Sequence, residues 1–579
     1  MRGRRRAGVP AGFRANFVLA PFFPPLKFFQ TERRGRYHPD PPGTCMETVE
    51  RAGRRVGAAG LLVLCLATAG VGLATSGCRV NENDIHRWET TAHGPDKLRA
   101  VLFHDKYDNS LRIEAATSLI RMKPRQGRRV GIGIMVETLA TMAPEARQSI
   151  VAALVPSIIA ELRKPPPVAP PGQPRPMDAS FPYKDAAYAM LTSDRTVIIA
   201  DEALKEGLKA ALIDWAMADF EHRLEDRSQA YGMEQLLRFI GPPAVAGLPK
   251  LMTREAKRLD QMASLVAEYG DPQAKEAASA NLVAIARFVT SSEWVDAKKP
   301  ELQAANAASK ITPTEKQFEA QLAQYQEEEL FRVYGSMKKL GGRPSVDFLL
   351  GFAADKNQPE KRRQAALAAL EGRLDRNNPS DIQRILEIAT ADAPDAVLDQ
   401  AFRRVGEMPR ELVVEKLYGL FKTDKWKIRR AAAATILKMS TVKHIDEFMS
   451  RLPDSKGFAM PEALTYGASF GDLKEGSPLE ALKKHFTEGP APVRTSAIAY
   501  YFTFGTAADL AAVKALEGDT TRAPVCDADP DCKWACEVQK EGSNERELRD
   551  VKTVGEFVQY CIEPAMQERK PELEKGEKK

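Results

Sequence analysis

An eight-residue pattern, R-x-x-A-A-x-x-L, recurs along this chain and restricts what the chain can fold into. It appears as Arg112, Ala115, Ala116 and Leu119, and again as Arg362, Ala365, Ala366 and Ala369. Two further copies are Arg429, Ala432, Ala433 and Ile436, and Arg494, Ala497, Ile498 and Tyr501. Positions i, i+3, i+4 and i+7 share one stripe of an α-helix, so each copy predicts a helix with a narrow buried face. Weaker copies led by Leu398 and Met460 fill the gaps. The lead positions then run 362, 398, 429, 460 and 494, in steps of 36, 31, 31 and 34. Upstream, Arg147, Met233, Met262 and Val333 lead stripes of the same spacing. A period of roughly 30–40 residues is that of stacked helix pairs.

At 579 residues the chain is too long for one ordinary core, because single cores stop growing near roughly 250–300 residues. A solenoid has no such limit. Hydrophobic residues make up 44% and charged residues 28%, which excludes global disorder and a multi-span membrane protein. Paired alanines let helices approach closely, and glycines after the last apolar residue suit left-handed C-caps. Pro242, Pro344 and Pro379 then restart the chain before second apolar helices.

Over about residues 95–520 these units resemble the HEAT family and the related armadillo and phycobilisome-lyase-type repeats. The resemblance implies an all-α fold: a right-handed α-solenoid of stacked antiparallel helix pairs, curved, with a face that binds other proteins. It names no partner. It also implies that each lead Arg pairs with an Asp of the neighbouring turn, a role that Asp108 and Asp424 suit by position. The expected divisions are first repeats over 96–164, a Pro-rich loop over 165–182 and the main solenoid over 183–520. Seven prolines in the twelve residues 165–176 prevent helix there. Thr312-Pro313-Thr314-Glu315 reads as a capping box. The helix that it opens runs to Leu340 and marks a joint between two halves.

The net charge of +6 misleads. Residues 1–78 carry twelve Lys/Arg against four acids, leaving 72 basic and 74 acidic residues for the rest. A nucleic-acid binder carries its basic excess on the folded domain, so no nucleic-acid partner is expected. Here the excess precedes 23 uncharged residues, Val56 to Cys78, behind Arg51, Arg54 and Arg55. That is the layout of a secretory signal. Its end, Thr75-Ser76-Gly77-Cys78, resembles a bacterial lipobox, with Thr75 where Leu is usual. The resemblance implies that Cys78 is diacylated and becomes the mature N-terminus. Two alternatives stay open: an uncleaved membrane helix, for which the length suffices, and ordinary cleavage after Ala74 or Ser76. Met46 opens a signal of normal length. Residues 1–45 are therefore expected to be a non-native or disordered extension, 46–78 the signal and 79–95 a linker. The expected location is the cell envelope, lipid-anchored and periplasm-facing, with unknown envelope proteins as partners.

Cys526, Cys532, Cys536 and Cys561 cluster after some 450 residues without cysteine, a usage that reads as oxidised and extracytoplasmic. If Asp531–Val538 is helical, Cys532 and Cys536 lie one turn apart with Cβ atoms about 5–6 Å apart, beyond the disulfide norm of about 3.5–4.5 Å. Two pairings then remain: 526–532 with 536–561, or 526–536 with 532–561. Either makes residues 521–566 a disulfide-stapled helical cap for the last repeat, followed by a charged disordered tail over 567–579. Zinc is the main rival, but C-x5-C-x3-C lacks paired knuckles. Calcium would need Gly where Cys532 stands and Glu where Val538 stands.

No residue set argues for catalysis. The seven histidines are scattered, and HExxH, GxSxG and the phosphate-binding Gly-rich loop are absent. No cofactor or metal is expected. The leading reading is a non-enzymatic protein-binding scaffold. The alternative is an enzyme or lyase-like protein with its site in the solenoid groove. Globomycin treatment of the producing cell is expected to accumulate an unprocessed precursor; unchanged mobility on a gel contradicts acylation of Cys78.

Overall fold

A computed structural model describes residues Val80–Gly576, except 125–128, 171–172, 227–229, 391–392, 453–457, 525–532, 541 and 544. Side chains from 570 onward are likewise outside the description. Cys78, Cys526, Cys532, the signal at 46–78 and the extension at 1–45 therefore lie outside the described residues. No described helix is long and apolar enough to cross a membrane.

The described chain is an all-α solenoid of stacked helix pairs in two layers. In the first layer, helix Asn109–Arg121 packs on Pro144–Leu162, and that on Glu202–Ala218. Further on, Leu259–Tyr269, Glu315–Leu340, Glu360–Ala369, Asp395–Val405, Trp426–Lys438, Met460–Phe470 and Ala491–Phe504 each pack on the next. The second layer includes Gly94–Phe103, Val130–Thr141 and Phe181–Leu191, then Pro272–Val289, Arg343–Ala354 and Pro379–Thr390. Every stripe found in the sequence falls on a first-layer helix, that of Met233 on the short helix Met233–Ile240 against Glu202–Ala218, and the apolar core runs between the layers.

The lead arginines do not pair as the family resemblance implies. Arg112 is buried and donates from Nε to the Leu102 carbonyl at 3.0 Å. Arg429 donates from Nη1 to the Thr423 carbonyl at 2.7 Å, and Arg494 from Nε to Gly489 at 2.8 Å. Arg147 reaches the Met142 carbonyl at 3.4 Å. The acceptors lie at or just past the end of the preceding helical segment, not on Asp108 or Asp424. The physical reason is that a helix leaves its last four carbonyls without intrahelical donors, and a guanidinium on the next helix supplies them.

At the second clear copy the register shifts by one residue. Arg363, 3% exposed, is the buried arginine, and its Nε donates to the Ala353 carbonyl at 2.8 Å. Arg362 turns outward to Gln326 Oε1 at 2.7 Å, and Ala365 is only half-buried. The inward stripe is Arg363, Ala366, Leu367 and Leu370. It wins because it buries two leucines where the alternative buries alanines.

Other expectations are corrected by local chemistry. The linker at 79–95 contains helix Glu82–Trp88, opened by an Asn81–Asp84 capping box and anchored by the buried Ile85. The long helix is capped by Thr314 with Gln317, two residues later than expected, and spans Glu315–Leu340. Its first half pairs with helix Ser292–Ala308 through reciprocal Asn306–Gln321 amide bonds. This hairpin is an insertion rather than a joint, because the first layer continues through the second half of the helix. The expected disordered tail at 567–579 is helical as far as Gly576, within helix Glu563–Gly576. Of the proposed glycine caps, Gly241 and Gly341 take positive φ, at 79° and 74°, whereas Gly270 and Gly406 do not.

The C-terminal cap contains two antiparallel strands, Ala535–Gln539 and Arg546–Asp550. Cys536 therefore sits on a strand, not the helix assumed from the sequence. It is disulfide-bonded to Cys561 across a Cα–Cα distance of 5.6 Å, which excludes the 526–536 pairing. Cys561 lies in a π-helical turn, Val558–Ile562. The Trp534 indole donates to the Phe458 carbonyl at 2.9 Å and meets the Phe557 ring edge-on. The cap is thereby tied back to the chain entering helix Met460–Phe470.

That helix makes the tightest approach in the first layer. A Cβ on Gly467 would lie 2.3 Å from the Ala499 carbonyl carbon. Gly467→Val is expected to cost about 3 kcal/mol or more. Gly335→Ala, with nothing within 4 Å of the added carbon, is expected to stabilise by up to about 1 kcal/mol. Urea unfolding of both variants checks this.

Candidate functional site

The strongest concentrations of charge in the protein are internal. Glu462 is fully buried and accepts from Arg429 Nε at 3.0 Å and Nη2 at 2.8 Å. It also takes the Ala459 N–H at 2.7 Å and the Tyr466 hydroxyl at 3.2 Å. Burial pushes the Glu462 carboxyl up against the pull of Arg429, and pushes the Tyr466 hydroxyl up as well. Arg429 therefore both caps its own turn and bonds the next first-layer helix.

Two more clusters lie around helix Phe181–Leu191. Asp178 receives Arg223 Nε and Nη2 at 3.1 and 2.8 Å, while Trp215 Nε1 donates to Ser180 Oγ at 2.7 Å. Arg175 pairs with Asp219, so the C-terminal root of the Pro-rich loop is pinned twice. The described residues of that loop, 165–170 and 173–178, carry no helix or strand. Asp185, fully buried, takes Lys184 Nζ at 2.7 Å, Arg129 Nε at 2.9 Å and the Ala230 N–H at 2.9 Å. Burial lowers the Lys184 ammonium despite Asp185. These groups clamp the chain segments at 129 and 230 onto one helix. Lys184 and Asp185 are sealed from solvent. Among the described residues no group of three His, Cys, Asp or Glu is placed to hold a metal.

Among the remaining residues singled out from the sequence, Ala115, Ala116, Ala366, Ala432 and Ala433 are fully buried. They are packing residues. Arg494 ties its helix to the start of the cap through Asp519 at 2.9 Å.

The surface offers a different arrangement. If Arg429, Ala432, Ala433 and Ile436 face the core, the opposite stripe of helix Trp426–Lys438 faces out. It consists of Lys427, Arg430, Ala431, Ala434 and Lys438, three cations around two alanines. Between this stripe and helix Asp395–Val405 lies a groove of about 250 Å³. Its lining includes Gly406, Ala431, Ala434 and Thr435, with Phe402 as the apolar member. Arg403 and Lys438 are its cations and Asp399 its carboxylate. Arg403, Arg430 and Lys438 form no ion pair among the described residues. Arg430 lies over the Trp426 ring at 5.1 Å. The sequence contained this stripe as the complement of the inward one, but not the helix that would lie beside it.

Two other grooves differ in charge. One of about 530 Å³ lies where the inserted hairpin meets helix Glu360–Ala369, and its Glu327 is neutralised by Lys361 at 2.6 Å. One of about 350 Å³ is lined by two cations, Lys250 and Arg254, of which Arg254 is stacked on Phe288 at 4.8 Å and paired with Glu255.

No protein-family model and no curated protein matches the chain. Among solved structures, an engineered protein from the Northeast Structural Genomics Consortium is similar at 13% identity, over 72% of this chain and 98% of its own, with a TM-score of 0.22. Kap121p, solved bound to Pho4p, is similar at 13% identity over 76% of this chain and 49% of its own, with a TM-score of 0.23. The structure of Kap95p with RanGDP is similar at 11% identity over 76% of this chain and 63% of that chain, with a TM-score of 0.22. The chain thus spans about half of the Kap121p chain and under two thirds of the Kap95p one. The fold stated above rests on this chain's own helix order and packing.

Proposed function

We propose that this protein is a non-enzymatic, protein-binding scaffold, held in the bacterial envelope by a lipid anchor at Cys78 and facing the periplasm. The observation that supports scaffolding is the division of polar groups. Buried ion pairs serve packing, while the outward first-layer face carries an open groove whose cations Arg403 and Lys438 form no ion pair among the described residues. The C-terminal disulfide agrees with an oxidising compartment.

Among the described residues lining the groove, Asp399 is the only carboxylate and there is no His or Cys.

A photo-cross-linking residue placed at Ala434 of the membrane-held protein tests the reading. Discrete adducts with other proteins are expected there, and none from the exposed Ala297 of the inserted hairpin. Absence of adducts from every outward first-layer position contradicts the scaffold.

A further inference from the structure

We infer that the groove between helices Asp395–Val405 and Trp426–Lys438 takes a carboxylate-bearing segment of a partner protein. This rests on the scaffold reading and adds the chemistry of what is bound. Three observations carry it.

The first is charge that the fold does not use. Neighbouring charges along the first layer are paired from one repeat to the next: Lys338 with Glu371 at 2.5 Å, Lys361 with Glu327 at 2.6 Å, and Lys427 with Asp395 at 3.0 Å. Arg403, Arg430 and Lys438 form no such pair among the described residues. They sit within a chain whose residues after 78 are two charges on the acidic side of neutral. A positive patch of this kind is complementary to an acidic segment, and such complementarity sets partner choice and encounter rate.

The second is the shape of the floor. Gly406, Ala431 and Ala434 present almost no side chain, so a partner's backbone can approach between the two helices. Ala431 and Ala434 supply half-buried apolar surface beside the cations. Arg403 and Lys438 come from opposite helices, so carboxylates spaced along one segment can meet both.

The third observation separates a peptide from a polynucleotide. A nucleic-acid groove offers open aromatic faces for bases and a continuous basic track. Here Arg430 covers Trp426, and Asp399 interrupts the basic lining. A peptide carrying both apolar and acidic side chains matches this mixture.

Fluorescence anisotropy on the detergent-solubilised full chain tests the inference. The probes are a labelled peptide of about fifteen residues built from Glu, Leu and Ala, its Lys-for-Glu counterpart, and an oligothymidylate of similar charge. The acidic peptide is expected to bind about tenfold or more tighter than either, and to weaken as salt rises. The paired reversal Arg403→Glu with Lys438→Glu should reduce its affinity about tenfold. Reversal of Lys361→Glu in the neighbouring groove should leave it unchanged. Both variants replace half-exposed or exposed side chains, and their circular dichroism should match the parent. Equal affinity for the two peptides, tighter binding of the oligonucleotide, or indifference to the paired reversal overturns the inference. Photo-adducts at Ala434 without acidic-peptide binding would overturn it while leaving the scaffold intact; peptide binding without adducts would have the opposite meaning.

Discussion

A buried guanidinium bonded to a carbonyl at the end of the preceding helical segment is the interaction on which the rest of this structure depends. Arg112, Arg363 and Arg429 each make it, and the half-buried Arg494 makes its counterpart to the Gly489 carbonyl. The interaction answers two problems at once. The end of the preceding segment presents carbonyls that its own backbone cannot satisfy, and a long cationic side chain at the layer interface needs acceptors. Joining them fixes how one helix of a pair turns into the next.

Between repeats the ties are of another kind. Arg384 to Asp347, Arg410 to Glu447, and Lys338 to Glu371 link residues 37, 37 and 33 positions apart. Those separations are the repeat period expressed as contacts. Exposed pairs of this sort contribute little singly, about 0–1 kcal/mol each. The Arg429–Glu462 pair differs, because both groups are buried. Removing one partner leaves an uncompensated charge and costs about 3–5 kcal/mol. It joins helices Trp426–Lys438 and Met460–Phe470, the second of which packs on the last first-layer helix, Ala491–Phe504.

The periodic layer was legible because its signal is local. An i, i+3, i+4, i+7 stripe needs no knowledge of distant residues, and ten such stripes landed on first-layer helices. An eleventh was overlooked: Leu208, Ala211, Leu212 and Trp215 on helix Glu202–Ala218 have the same spacing. Register was less secure. In Arg-Arg-Gln-Ala-Ala-Leu, two overlapping stripes fit, and only the area buried by Leu367 and Leu370 separates them. The buried clusters at Asp178 and Asp185 were not legible, because their partners stand about 45 residues away. The cap was misread where Asp531–Val538 suggested a helix, since strand pairing there depends on Arg546–Asp550 across the turn. The groove had the same limitation: one wall was visible in the sequence, the other depended on which helix packs beside it.

The most direct test of the turn-capping account compares two adjacent arginines by urea unfolding. Arg363→Met keeps the aliphatic stem but removes the donor to the Ala353 carbonyl, and it is expected to cost about 2–3 kcal/mol. Arg362→Met, one residue earlier and directed at Gln326, is expected to cost under about 1 kcal/mol. Equal losses, or a greater loss at Arg362, would contradict both the register and the role of the buried arginine in setting the turn.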